Sequence, residues 1–283
     1  MNTSKVLSKY FSTYRNFLGV MLQVRRLKEE VHAKFRDGLT QDISNRQAIL
    51  TVLNDRNYNT GLGSIKQLEL LKNEKFRYRD KDIVIHGLLT NGDINGLFIY
   101  DQYSFLSVRG ETVLDIGANI GDSPIYFVMN DAKKVIALEP FPSLFSIAER
   151  NVLENNLKSK ITLVQGGYGT ESEVFTVDNE SNVYSNVVPS DSGNVKVVLH
   201  SLKGIRNCFD LNDAVLKMDC EGAEYDIVRE DDETLRTFKR IQIEYHHKDP
   251  KPIAKRLESA GFYVKSDRPI IPNGLGYVYA IQK

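Results

Sequence analysis

The run Val113-Leu114-Asp115-Ile116-Gly117-Ala118-Asn119-Ile120-Gly121-Asp122 constrains this chain more than any other segment. An apolar stretch passes into a loop whose glycines let the backbone turn sharply and approach a ligand closely. Ser123-Pro124 then opens a helix, proline being well suited to a first turn. The pattern repeats downstream. Thr112 to Ile116, Lys134 to Leu138, Ile161 to Gln165, Ala214 to Met218 and Arg240 to Tyr245 read as buried strands, with helical stretches between most of them. Strands alternating with helices predict an α/β doubly wound domain, a mostly parallel sheet covered on both faces. Glu171 to Leu199 breaks the rhythm, with β-prone runs at Glu173 to Val177 and Val195 to Leu199, and is expected to be an inserted hairpin. Phe262 to Lys265 and Tyr277 to Gln282 are expected to close the sheet after a helix over Lys251 to Ala260.

The first 75 residues have a different texture. Leu7, Tyr10, Phe11, Tyr14, Phe17, Leu18, Met21 and Val24 recur at steps of three and four, predicting an amphipathic helix. Further helices are expected from Asp42 or Ser44 to Leu53 and from Ser64 to Leu71, making residues 1–75 a helical appendage to a domain over 76–283. Phe76 to Arg79, Asp82 to His86 and Gly96 to Tyr100 are β-prone runs separated by turn formers, and predict leading hairpins over 76–110.

Composition narrows the function classes. Lys plus Arg number 37 and Asp plus Glu 37, so the chain lacks the overall positive charge expected of a protein that grips many phosphates, and no nucleic-acid partner is expected. Cys208 and Cys220 form no disulfide framework or zinc motif, which fits a reducing, cytoplasmic setting. The apolar run Phe17 to Val24 is too short to span a membrane. Lys5, Lys9, Arg15, Arg25, Arg26 and Lys28 outweigh Glu29 and Glu30, so the first helix could meet an anionic membrane surface; packing on another helix, as in self-association, is its more ordinary use.

The chemistry gathers at strand ends. A dinucleotide fingerprint requires G-x-G-x-x-G, whereas this loop has Asn119 at the second glycine position and the charged Asp115 at the strand end, which argues against a pyrophosphate. Asp115 can orient the loop and accept from a cationic amine, while Asn119 and loop N–H groups can hold a carboxylate, a combination suiting the amino-acid end of S-adenosylmethionine. Glu139 ends the next strand, 24 residues after Asp115, where a carboxylate can accept from both hydroxyls of a ribose. Lys217-Met218-Asp219-Cys220-Glu221-Gly222-Ala223-Glu224 follows the fourth strand. Three acids in six residues are costly unless paired, hydrogen-bonded or functional; an acidic helix start is the structural alternative.

Together these segments resemble the FkbM-type S-adenosylmethionine-dependent methyltransferases. The carriers are DIGANIGDSPIYF at Asp115 to Phe127, VIALEPFP at Val135 to Pro142, the helix end Asn151 to Leu157 and KMDCEGAE at Lys217 to Glu224. The resemblance implies a class I methyltransferase fold, with a seven-stranded sheet whose last strand is antiparallel, and O-methylation of a sugar, lipid or polyketide-like hydroxyl. For the cofactor it suggests Asp115, Gly117, Asn119, Gly121 and Glu139; Ala118, Asp122, Pro140 and Asp219 in the same segments, and Gln165 as an adenine contact, complete the expected set. Gln165-Gly166-Gly167 departs from the Asn-Ala common in relatives, which weakens the adenine contact given to Gln165.

A hydroxyl must also lose its proton, and its pKa of about 16 calls for a base, a metal or close positioning. Asp219, Glu221, Glu224 and His246 are the catalytic candidates, with Glu244 and His247 beside them. His246 has the best intrinsic pKa for a base, and a hydrogen-bonded strand-end histidine is the equal alternative. No metal site is assigned, since Asp219 and Glu244 alone make a thin case for Mg²⁺. Three other readings stay open: a non-catalytic cofactor-binding scaffold, a membrane or partner-docking protein, and a nicotinamide oxidoreductase, against which Asn119 argues.

Overall fold

A computed structural model of the chain describes residues 15, 17–20, 31–34, 40–43, 68–71, 75–87, 94–99, 101–171, 173–177, 195–246, 249–266 and 276–283. Two compact units divide after Ile83, Met1–Ile83 and Val84–Lys283.

In the first unit residues 17–20 are helical, and the rest of the expected first helix lies outside the described residues. The other two expected helices are corrected where they can be seen. β1 (Val31–Lys34) and β2 (Thr40–Ile43) pair antiparallel, so Asp42 sits in a strand instead of capping a helix; residues 44–53 lie outside the described set. β3 (Leu68–Leu71) pairs antiparallel with β4 (Lys75–Tyr78), and β5 (Lys81–Val84) completes the order β3-β4-β5. The spacing of Leu68, Leu70 and Leu71 suits helix or strand. The β-prone Phe76-Arg77-Tyr78 downstream supplies the pairing partner that decides between them.

The second unit opens with another correction. Gly96 to Ile99, read as strand, lies in a wide helical turn, Asn95–Ile99, and Tyr100 is outside the described residues. Coiling buries Leu97 and Phe98 where a lone strand would leave its backbone unpaired, and Phe98 meets Tyr126 edge-on at 5.6 Å.

The main sheet carries the sequence-predicted strands: β6 (Thr112–Ile116), β7 (Lys134–Glu139), β8 (Ile161–Gln165), β12 (Ala214–Met218), β13 (Phe238–Tyr245), β14 (Phe262–Ser266) and β15 (Gly276–Gln282). Their order is β14-β15-β13-β12-β6-β7-β8, parallel from β8 across to β13, with β15 antiparallel to both its neighbours. The chain moves outward from β6 to β8 and then returns to place β12 on the other side of β6. That reversal opens a crevice at the carboxyl ends of β6 and β12, where ligands of such sheets bind. Outside the sheet, β9 (Gly167–Tyr168), β10 (Val174–Val177) and β11 (Val195–His200) form a small sheet, β10 and β11 being the expected inserted hairpin.

Alternation along the strands divides two cores. Leu114, Ile116, Leu216, Met218, Ile241 and Ile243 face one side, where they pack with Leu202 of α3 (Leu202–Phe209), Leu235 of α4 (Asp232–Leu235), and Ile253 and Leu257 of α5 (Lys251–Ser259). α1 (Asp122–Met129) and α2 (Pro142–Glu154) pack against β6, β7 and β8. Asp115 and Lys217 alternate away from the first core, into the crevice side.

Candidate active site

Asp115 is the residue in β6 before the strand ends, and the parallel register sets it directly beside Lys217 of β12. Both are buried. Lys217 Nζ lies 3.0 Å from Asp115 Oδ1, donates to the Gly117 carbonyl at 2.6 Å, and sits 5.8 Å from the centre of the Tyr103 ring. Asp115 Oδ2 accepts from Ser123 Oγ at 2.6 Å. Burial alone would lower the Lys217 pKa, but Asp115 and Asp219 outweigh it and hold the ammonium charged. Burial raises the Asp115 carboxyl against the opposing pull of Lys217 and Ser123. The sequence assigns Lys217 no role; its partner lies 102 residues away, and only the sheet register brings them together.

The glycine loop follows. Gly117 and Gly121 have φ of +83° and +84°, and Asn119 adopts +50°. A Cβ on Gly117 would fall 1.7 Å from the Asp219 carbonyl oxygen, so glycine is required by backbone contact as well as by φ. Four of the loop N–H groups expected to cradle a carboxylate donate within the protein. Those of Gly117 and Ala118 donate to the Leu138 carbonyl at 3.1 and 2.9 Å, that of Asn119 to Glu139 Oε2 at 2.9 Å, and that of Gly121 to the Ala118 carbonyl at 2.8 Å. The Asn119 side-chain Oδ1, by contrast, is buried without a hydrogen-bond partner. Asp122 is buried at the start of α1, its Oδ1 accepting from the Ser123 N–H. Asn151 of α2 supports the loop from behind, donating to the Ile120 carbonyl at 2.7 Å and the His86 carbonyl at 3.1 Å while accepting from the His86 N–H at 2.8 Å.

Glu139 is buried at the end of β7, with Pro140 after it and Gln165 exposed beside it at the end of β8. Its Oε1 accepts from the Phe141 N–H at 2.9 Å and its Oε2 from Asn119, which leaves acceptor capacity on each oxygen. Burial pushes its carboxyl up to about 8, against those two N–H donors and Lys217.

The acidic motif sits against the loop, the Asp219 N–H donating to the Ile116 carbonyl at 3.0 Å. Glu224 is fully buried and serves as a scaffold. It accepts from the Gly222 N–H at 2.7 Å and the His246 N–H at 3.0 Å, and lies 3.1 Å from His246 Nδ1. That contact turns Nε2 of the buried His246 toward Asp219 and Glu221, each 3.7 Å away, and Glu244 at 3.9 Å. Burial opposes a charge on His246, but Glu224, Asp219 and Glu221 raise its pKa to about 9. Burial and Asp219 lift Glu244 to about 8. The Cys220 thiol is raised by burial and Glu224, which blunts it as a nucleophile. Asp219, Glu221, Glu224 and His246 thus share one cluster beside the loop, whereas Gln165 stands apart on the Glu139 side. His247 lies outside the described residues.

A sheet in this order, with β15 inserted antiparallel and a glycine loop after its central strand, is a class I methyltransferase fold. A family model described as the methyltransferase FkbM domain matches residues 115–264. The chain belongs to the FkbM methyltransferase family, whose cofactor is S-adenosylmethionine. No curated protein matches it by sequence. Similar solved structures include the precorrin-6y C5,15-methyltransferase of Geobacter metallireducens GS-15, at 15% identity over 71% of this chain and 94% of that one, with a TM-score of 0.44. TrmK of M. capricolum in complex with S-adenosyl-homocysteine matches at 14% identity over 66% and 69%, with a TM-score of 0.44. TYW2 of M. jannaschii in complex with AdoMet matches at 14% over 75% and 86%, with a TM-score of 0.42. Among the described residues no helix is long and apolar enough to cross a membrane.

Proposed function

We propose that the protein transfers a methyl group from S-adenosylmethionine to a hydroxyl oxygen of a sugar, lipid or polyketide-like acceptor. The carrying observation is that a cluster of proton-handling groups, the buried His246 with the part-exposed Asp219, Glu221 and Glu244, abuts the glycine loop through the contact of Gly117 with Asp219. An amine of suitable pKa needs no such group once neutral, whereas an alcohol does.

The residues fit the cofactor. Glu139 retains a lone pair on each oxygen for the two ribose hydroxyls, and the unpartnered Asn119 Oδ1 would accept from the cofactor's amino group. Asp115 acts through the loop, because Lys217 and Ser123 already engage its carboxylate. When bound, the cofactor supplies an electrophilic methyl group at a sulfonium.

The chain's own groups deal with the proton. With its pKa near 9, His246 is an imidazolium at neutral pH in the ligand-free protein, so it is better placed to hold charge than to take a proton. Glu244, raised by burial and Asp219 and 3.9 Å from His246 Nε2, is the carboxyl that would take the hydroxyl proton once it has ionised.

The test is transfer of isotope-labelled methyl from S-adenosylmethionine to a panel of hydroxylated glycosides, lipids and polyketide-like alcohols, with the product's carbon shift read by NMR. A methyl ether is expected. Label appearing only on nitrogen or carbon would overturn the O-methyl reading and leave family membership intact.

A further inference from the structure

We propose that Asp219, Glu221 and His246 form a binding site for one divalent cation, with Mn²⁺ as its probe. One ligand atom from each residue can be chosen so that all three lie within 4.8 Å of one another. The two Nε2-to-carboxylate separations of 3.7 Å are too long for hydrogen bonds. They lie close to the spacing of two ligands of a single ion: atoms about 2.1 Å from a metal and roughly 110–120° apart are about 3.4–3.6 Å from each other.

The second observation is how His246 is held. The buried Glu224 occupies Nδ1 at 3.1 Å and accepts from the His246 backbone N–H at 3.0 Å, so the ring's orientation is fixed with Nε2 pointing at the two carboxylates. A ligating histidine characteristically gives its other ring nitrogen to a carboxylate in this way. Charge agrees: two carboxylates and an imidazole that gives up its Nε2 proton to the metal balance a dication, and Glu244 lies 3.9 Å from Nε2. One imidazole with two carboxylates suits first-row divalent ions better than Ca²⁺, which prefers six to eight oxygens. Three protein ligands leave positions for water or the acceptor oxygen. The site's use in activating a hydroxyl rests on the O-methyl reading; its occupancy does not.

The experiment is titration of the chelator-treated full chain with MnCl₂, following free Mn²⁺ by electron paramagnetic resonance, with and without S-adenosyl-homocysteine. One Mn²⁺ per chain is expected, with affinity falling at least tenfold in Glu221→Gln and in Asp219→Asn. Glu221 is part-exposed, so its isosteric variant should fold, and a retained thermal shift with S-adenosyl-homocysteine would show that it has. No saturation below millimolar Mn²⁺, or equal affinity in wild type and both variants, would overturn the proposal. An ether product without Mn²⁺ binding would refute the metal site alone, and Mn²⁺ binding with only N- or C-methyl products would refute the O-methyl reading alone.

Discussion

Asp115 and Lys217 are register partners on adjacent parallel strands, and their side chains form a buried ion pair of 3.0 Å beside the glycine loop. Two charges removed from water are worth little net stability as a pair, but either one alone is expensive. The pair therefore reads as a positioning device. Through Nζ it ties the Gly117 carbonyl, and through Ser123 it ties the first turn of α1, to the centre of the sheet.

Lys217→Met is expected to cost about 3–5 kcal/mol in urea unfolding, because Asp115 is left buried without its counter-ion. Adding Asp115→Asn should recover much of that loss. Additive losses in the double mutant would show that the two side chains do not interact.

Gly117→Ala should be more damaging than an ordinary loop substitution. Backbone strain at positive φ costs about 1–3 kcal/mol, and the Asp219 carbonyl must also move aside. Calorimetry should register both a lower melting temperature and loss of S-adenosyl-homocysteine binding. An alanine variant with wild-type affinity would mean that the β6 and β12 ends can separate without harm to the site.

Asn151→Ala removes three hydrogen bonds, those to the Ile120 and His86 carbonyls and that from the His86 N–H, at a cost of about 1–3 kcal/mol. Unfolding by denaturant measures it, with a weakened cofactor affinity expected alongside, since Ile120 lies in the loop.

Glu139 makes the ligand-free protein pH-sensitive. Its carboxyl titrates near 4.5 when unfolded and near 8 when folded, so between those values the folded state binds more protons. Stability should therefore fall as pH rises from about 5 to 8, with a contribution of up to about 1.4 kcal/mol per pH unit. Glu244 pulls the same way, so the diagnostic is the difference in slope between wild type and Glu139→Gln. Equal slopes would place the Glu139 carboxylate in a wetter setting than the one seen.

What could be read in the sequence follows interaction range. Asp115, Gly117 and Gly121 announce a strand, a turn and a helix start within ten residues, and Thr112 to Ile116 is where the strand lies. The 171–199 insertion shows as two short β-prone runs, and β10 and β11 do pair. Leu68 to Leu71 shows the limit: its apolar spacing satisfies two periodicities, and only the partner strand at Lys75–Tyr78 selects one. The roles of Lys217 and Glu224 were hidden for a related reason. Each looks like a member of an acidic motif, yet each is spent on a residue far along the chain, Asp115 for the lysine and His246 for the glutamate. The N–H groups of Gly117, Ala118 and Asn119 look available in the sequence because their acceptors, Leu138 and Glu139, belong to the next strand.

The abutment of Gly117 on Asp219, with the Asp219 amide on the Ile116 carbonyl and the Lys217 ammonium on the Gly117 carbonyl, joins the carboxyl ends of β6 and β12 into one floor of the crevice. A lineage of such enzymes cannot take on a bulkier acceptor by spreading these strand ends apart. On the function proposed above, a change of acceptor would be met by side chains and loops above that floor, and substitutions at Gly117 or Lys217 would not supply it.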